Sequence, residues 1–285
     1  MASIAYITDS KMLELHRLNN HKVMNFWRLS NSLRFSDFSA GDLVFFLSKD
    51  KEHMNRREKG IVGFGRLRYV HLDTVKNVWD TYEQFNGYNT IEEFKEAIIK
   101  VSKTKKLPKK ISGLYLENVT FFQPIYLSEL GVKISSSVES YIYLEDEITD
   151  GLLKLAAESK DLWSAFSENN KAIATEEIQR ELFKAHKKIG SIQSNEKILK
   201  RVNKKFPEYL AKGYSLMNDC DNELYRYGEG KIEIVFYHDK YADDKALIGQ
   251  ARLYRYYLNG LKEKGIRISF SLTDHTDTLE YLMNN

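Results

Sequence analysis

The sequence predicts an α+β protein in two parts: an N-terminal β-barrel with a helical insertion over residues 1–147, and a helical linker plus α/β domain with a βαβ unit over 148–285. Three observations lead there. Leu43-Val44-Phe45-Phe46-Leu47 is wholly apolar and bounded by Gly41-Asp42 and Ser48-Lys49-Asp50, the mark of a short buried strand. Composition changes at Glu145-Asp146-Glu147, after which apolar residues recur at helical spacing. The last sixty residues read strand, helix, strand. A length of 285 residues also suits two domains of ~100–200 residues each.

Beyond the first strand, the polar stretch Lys49 to Lys59 reads as a loop or hairpin tip. Gly60 to Val70 reads as a second strand whose glycines mark curvature or close backbone approach. Phe121 to Leu127 is a third, placed by Pro124 at an edge or bulge, and Val138 to Leu144 a fourth. Between the second and third, Asn89-Thr90 caps a helix over Ile91 to Ile99, followed by an exposed lysine-rich loop, Lys100 to Lys110. Helices follow from Ile148, with Ile178, Leu182, Ala185 and Ile189 on one face and Ile198, Val202, Phe206 and Leu210 on another; Pro207 kinks the latter or starts a new helix. Lys231 to Tyr237 is a strand, Lys245 to Lys264 a helix ended by Gly265, and Ile266 to Leu272 an alternating strand. Such lengths imply parallel strands joined by a right-handed crossover.

Composition narrows the function classes. Hydrophobic residues at 42% suffice for buried cores, and charged residues at 29% suit a solvated surface. No apolar run nears the ~20 residues of a membrane span, and the N-terminus carries no secretory pattern, so a cytoplasmic protein with no membrane partner is expected. One cysteine, Cys220, excludes an internal disulfide and a cysteine-based zinc cage; it reads as a buried or incidental thiol. There is no P-loop, no HExxH, and Gly63-x-Gly65 lacks the third glycine of a dinucleotide loop. The net charge of +3 hides asymmetry: residues 151–212 hold 13 Lys and Arg against 8 Asp and Glu, whereas 213–285 hold 9 against 12. Solvated helix faces explain this; so does a basic surface beside an acidic pocket, as a metal-dependent enzyme on nucleic acid needs.

Phe26-Trp27-Arg28-Leu29-Ser30, then Phe35 and Phe38, Gly41-Asp42-Leu43-Val44-Phe45-Phe46, and Gly60-Ile61-Val62-Gly63-Phe64-Gly65 form an ordered pattern. It resembles the EVE domains of the PUA-like superfamily over roughly residues 4–145, and Trp79-Asp80-x-Tyr82 with Asn86 to Thr90 resembles the helical insertion some of them carry. The resemblance implies recognition of DNA or RNA, often with a modified base turned into an aromatic pocket. Unstacking that base costs a few kcal/mol, and an aromatic face returns roughly 1–3 kcal/mol. Trp27, Phe35 and Trp79 are the aromatic candidates; Arg28, Ser30, Asn31, Ser32 and Asp42 are the polar ones. Set against this, Phe35, Phe38, Phe45 and Phe46 read as core, and Asp42 as a turn former.

The C-terminal ordering of long helix, two acidic strands, Gln/Tyr helix and strand resembles the PD-(D/E)xK nuclease core. That resemblance implies Glu233, Glu223, Asp221 and Gln250 as catalytic residues, with Glu233 and Asp221 holding Mg²⁺. The departure is Val235, where the motif wants lysine; Lys231, Lys240 or Lys245 would have to substitute. A solvated turn explains most of the acids before Gly228, and a wet face on an edge strand explains Glu233. The combined expectation is a reader of modified DNA, RNA less so, acting as a modification-dependent restriction endonuclease or defence protein and pairing as a homodimer for duplex cleavage. The alternative is a non-catalytic reader that recruits a partner.

Overall fold

The structure is a computed structural model describing residues 3–29, 35–52, 58–132, 140–158, 166–190, 206–217 and 222–285. It is mixed α+β, and the chain divides into two compact units, Met1–Ala174 and Thr175–Asn285.

The first unit is built on β1 (Ser3–Thr8), β2 (Met24–Arg28), β3 (Leu43–Glu52), β4 (Lys59–Thr74), β5 (Lys110–Ile125) and β6 (Tyr141–Leu144). They form one sheet in the order β2-β5-β4-β3-β1-β6, with β1 and β3 parallel and the other pairs antiparallel. The expected barrel is not closed by hydrogen bonds: among the described residues no ladder joins the edge strands β2 and β6. Side chains span that gap instead. Phe26 of β2 lies 4.9 Å, ring to ring, from Tyr6 of β1, which stacks on Tyr141 of β6.

Helices cover both faces, which is why Leu43 to Leu47 is apolar throughout. Val44 and Phe46 join the core formed with α1 (Ser10–Leu18), α2 (Val75–Tyr82) and α3 (Ile91–Val101), while Leu43, Phe45 and Leu47 join a second core under α4 (Asp146–Glu158). Thr90 caps α3 as expected, its hydroxyl accepting from Glu93 N at 3.2 Å. At Gly63, a Cβ would sit 2.6 Å from the Thr120 carbonyl oxygen, so only glycine lets β5 approach β4 there. The composition change near 147 coincides with the start of α4. Because Leu152, Leu153 and Ala156 pack with Ala5, Phe45 and Leu144, α4 belongs to the first unit, and the division falls later than 147.

The second unit takes the C-terminal part of α5 (Phe166–Ile189), a helix over 206–211 (α6), β7 (Ser215–Leu216), β8 (Glu223–Gly228), β9 (Lys231–Phe236), α7 (Asp244–Tyr257), α8 (Asn259–Glu263), β10 (Arg267–Leu272) and α9 (Asp277–Asn284). Its sheet runs β10-β9-β8-β7, with β9 and β10 parallel around the expected βαβ crossover. The β8–β9 hairpin turns through Glu229 and Gly230 at φ +53° and +69°, the left-handed pair that a tight hairpin demands. The long helix expected over 245–264 breaks at Leu258 into α7 and α8, and Gly265 at φ +81° ends it. Among the described residues no helix is long and apolar enough to cross a membrane.

Candidate functional site

The gap between β1 and β2 is a cleft of about 520 Å³, floored by Tyr6, Phe26, Trp27 and Arg28 and flanked by Ser10 of α1 and Lys100 of α3. Strand alternation aims this set: Arg28 ends β2, and the one-residue step to Trp27 turns its indole toward Phe94 of α3, 5.7 Å away edge-on. Arg28 is buried, a costly place for a guanidinium, and its neighbours compensate. Its Nε donates to Ser112 Oγ at 2.9 Å, the Tyr6 hydroxyl accepts from it, and its Cζ lies 4.3 Å from the Phe35 ring centroid. Burial lowers the Arg28 pKa, and Tyr6 and Tyr141 work against that fall. Burial also raises the Tyr6 hydroxyl, opposed by Arg28. The Trp27 indole Nε1–H is buried and has no hydrogen-bond partner among the described residues. The result is an aromatic slot with one fixed, positively charged fork, Lys100 at its side, and Asp9 held by its roles as α1 cap and acceptor from Tyr88 Oη at 3.1 Å.

The structure thus brings Trp27, Arg28 and Phe35 together. Ser30, Asn31 and Ser32 lie outside the described residues. Asp42 and Trp79 do not line the cleft. Asp42 is fully buried in a turn and accepts from Ser39 N at 2.9 Å, while Arg66 bonds the adjacent Gly41 carbonyl. Trp79 packs on Phe94 as core. Of the cleft residues, Phe26 and Lys100 lie in the aromatic motif and the lysine-rich stretch that the sequence marks, whereas Tyr6 is unmarked there. Ile4 to Thr8 shows no apolar-polar alternation, so nothing local marks Tyr6; placing Lys100 needed the position of α3.

The C-terminal constellation is split. Glu223, fully buried at the head of β8, accepts from Tyr254 Oη at 2.6 Å and from Gln250 Nε2 at 3.1 Å, and His186 Nδ1 lies 2.6 Å from the same tyrosine oxygen. Glu223 pairs in register with Phe236 and Arg226 with Glu233, so Glu223 and Glu233 point to opposite faces of the sheet. β9 lies between β8 and β10, so it is not the edge strand expected. Glu233 Oε1 accepts from Lys231 at 2.8 Å, and Oε2 from Arg226 Nε at 2.9 Å and Tyr214 Oη at 3.1 Å. Burial opposes its charge, but these donors prevail and hold its carboxyl at about 2.

A Mg²⁺ shared by Glu223 and Glu233 does not fit this arrangement. The two carboxylates lie on different faces, both Glu233 oxygens face cations, and among the described residues no group of three His, Cys, Asp or Glu could hold a metal. Asp221 and Cys220 lie outside the described residues.

No protein-family model and no curated protein matches the chain. Among solved structures it is similar to ASCH from Zymomonas mobilis, at 14% identity over 56% of this chain and 96% of that one, with a TM-score of 0.39. A point variant of the same protein aligns at 14% identity over 55% and 99%, with a TM-score of 0.38. ASCH domains belong to the PUA-like superfamily. At this identity and score the likeness carries no argument about what the chain binds or does.

Proposed function

We propose that this protein reads nucleic acid by taking one modified base, turned out of a DNA duplex, into the cleft of the first unit. The observation that carries the reading is Arg28 fixed at the floor of an aromatic slot made by Tyr6, Phe26 and Trp27. Aromatic faces return stacking energy to an extruded base, and the guanidinium fork suits its acceptor edge. A volume of about 520 Å³ lies in the range of ligand-sized sites.

The second unit supports the recruiting form of this reading over the endonuclease form. Glu223 is enclosed with Gln250, Tyr254 and His186, and Glu233 is ion-paired on the other face. Equilibrium binding to matched duplexes carrying cytosine, 5-methylcytosine, 5-hydroxymethylcytosine or N6-methyladenine, with the same sequences as single-stranded RNA, tests it. One modification should bind at least tenfold tighter than its unmodified match, and Trp27→Ala should erase the difference. Equal binding to all of them, DNA and RNA alike, overturns the reading. Preference for a modified RNA moves the substrate to RNA. Cutting of any duplex with Mg²⁺ present restores the endonuclease.

A further inference from the structure

The segment 213–285 is acidic in sum, yet one end of its sheet is a basic cleft. About 570 Å³ opens beside the first residues of the parallel strands β9 and β10, lined by Lys231, Arg255, Lys262 and Arg267. Lys231 and Arg267 are register partners on adjacent strands. Arg255 comes from the last turn of α7 and Lys262 from α8, so four separate elements aim cations at one space. Lys231 is balanced by Glu233. Among the described residues no carboxylate lies within ion-pair reach of Arg255, Lys262, Arg267 or the neighbouring Arg252; Glu263, next in sequence to Lys262, accepts from Asn259 Nδ2 at 3.2 Å. Arg255 is held over the Phe270 ring, 5.8 Å from its centroid, and so keeps its charge without an acidic partner. Its pKa is lowered, by burial first and by the neighbouring Arg252 charge second.

Like charges converging on a cavity repel, and side chains on mobile stems relieve that by spreading into water. Here strand register and helix ends bring the backbone origins of four cations to one space, which raises its positive potential and favours an anion in the middle. An adjoining hollow of about 640 Å³ shares Arg255 and Asn259 with the cleft and is lined by Tyr256 and Tyr257, of which Tyr256 is 76% exposed. Exposed tyrosines beside unbalanced cations are the pairing that holds unpaired nucleotides, with phosphates on the cations and bases on the rings. The cleft is separate from the Glu223 cluster: that cluster meets the Phe236 end of β9 and the cleft the Lys231 end, ~16 Å apart at ~3.3 Å per residue.

We propose that this cleft binds the phosphate backbone of single-stranded nucleic acid, with Tyr256 and Tyr257 stacking bases. It is a second contact, independent of base identity, and it goes beyond the reading of the first-unit cleft without requiring it. The test uses the full chain and an unmodified 12-nucleotide oligothymidylate, titrated from 50 to 300 mM salt. Wild type should bind with an affinity that falls linearly in log[salt]. Replacing Arg255, Lys262 and Arg267 by Gln should weaken binding more than tenfold and flatten the slope by about 2, as ~0.7 counterions per lost phosphate contact requires. Lys262→Gln with Arg267→Gln, both on exposed side chains, gives a proportionate loss and guards against misfolding of the triple variant. Tyr256→Ala with Tyr257→Ala should lower affinity by about tenfold with the slope unchanged.

Any discrimination between modified and unmodified duplexes should survive the Gln variants, which separates this proposal from the first-unit reading. Oligothymidylate binding that ignores all of these substitutions overturns it. So does tight binding of inorganic tripolyphosphate with none of the oligonucleotide, which would make the cleft a site for small polyanions.

Discussion

The Tyr254 hydroxyl meets Glu223 Oε2 at 2.6 Å while His186 Nδ1 stands 2.6 Å from the same hydroxyl oxygen, so a buried carboxylate, a phenol and an imidazole form one chain inside the second unit. A carboxylate shut away from water stays charged only if its lone pairs are met. Tyr254→Phe removes the shortest of its donors and takes a partner from His186 as well. Unfolding of the second unit should become easier by about 1–3 kcal/mol, read from urea titration of intrinsic fluorescence. A variant as stable as wild type would mean that the network does not hold the unit together.

Two acid transitions should separate by pH. His16 is fully buried, its Nδ1 3.0 Å from His21 Nδ1; burial first and His21 second push its pKa down from 6.5 to about 3. The unfolded chain therefore takes up the proton before the folded one. This contribution is complete above pH 6.5 and declines as pH falls toward 3, by about 1.4 kcal/mol per pH unit. Glu233, lowered from 4.5 to about 2, contributes above pH 4.5 and loses that contribution between 4.5 and 2. His16→Leu should flatten the stability profile between pH 6.5 and 4.5, and Glu233→Gln should lower stability by a constant amount above 4.5 and flatten the profile below it. Stability midpoints in urea at half-unit pH steps give both slopes.

What the sequence showed and what it hid follow from how local each signal is. Leu43 to Leu47 is apolar because both of its faces are buried, and a run of one residue class survives in any context. Thr90 caps α3 by a bond three residues long. The βαβ unit is spelled by consecutive segments. By contrast, β5 begins at Lys110, far ahead of the strand expected at Phe121. Its ladder with β4 shifts register three times, and Asn118 sits at φ +54°, so no steady alternation marks it. Glu223 and Glu233 look alike as acids near strands. Which face each takes depends on the hairpin register, set by the turn at Glu229-Gly230, and a slip of one residue exchanges the faces. The basic cleft was hidden by the acidic sum of its segment, since the four cations that form it are scattered from 231 to 267.

Two glycines should respond to alanine in opposite ways. A Cβ at Gly113 would intrude on both His71 Nε2 and Asn25 Oδ1, which bond to each other at 2.8 Å across that position. Asn25 is fully buried and also donates to Asn86 Oδ1 at 2.8 Å, so displacing it strands a second amide. Gly113→Ala should cost about 2 kcal/mol or more. Gly249 lies within α7 with nothing near its would-be Cβ, and Gly249→Ala should stabilise by about 0.5–1 kcal/mol. Thermal unfolding of the two variants beside wild type checks the contrast, and a stable Gly113→Ala would mean that the His71–Asn25 bond is not fixed there.

Arg28→Lys separates charge from shape in the first-unit cleft. Lysine keeps the positive charge, so long-range attraction to phosphates is unchanged. It cannot reproduce a planar fork that bonds Ser112 Oγ at 2.9 Å, reaches the Tyr6 hydroxyl and sits over the Phe35 ring at once. Losing a hydrogen bond made by a charged group costs about 1.5–3 kcal/mol, and a base edge bound by that fork loses a comparable amount. The variant should therefore bind the preferred modified duplex at least tenfold more weakly while its salt slope stays that of wild type. If the affinity held and the slope also held, Arg28 would be acting as a charge alone and the base-edge role would fall. If Arg28→Gln, which removes the charge, lowered the slope by about 0.9, the residue would be a phosphate contact in duplex binding. A loss of affinity at constant slope is the outcome that only a shaped contact with the base produces.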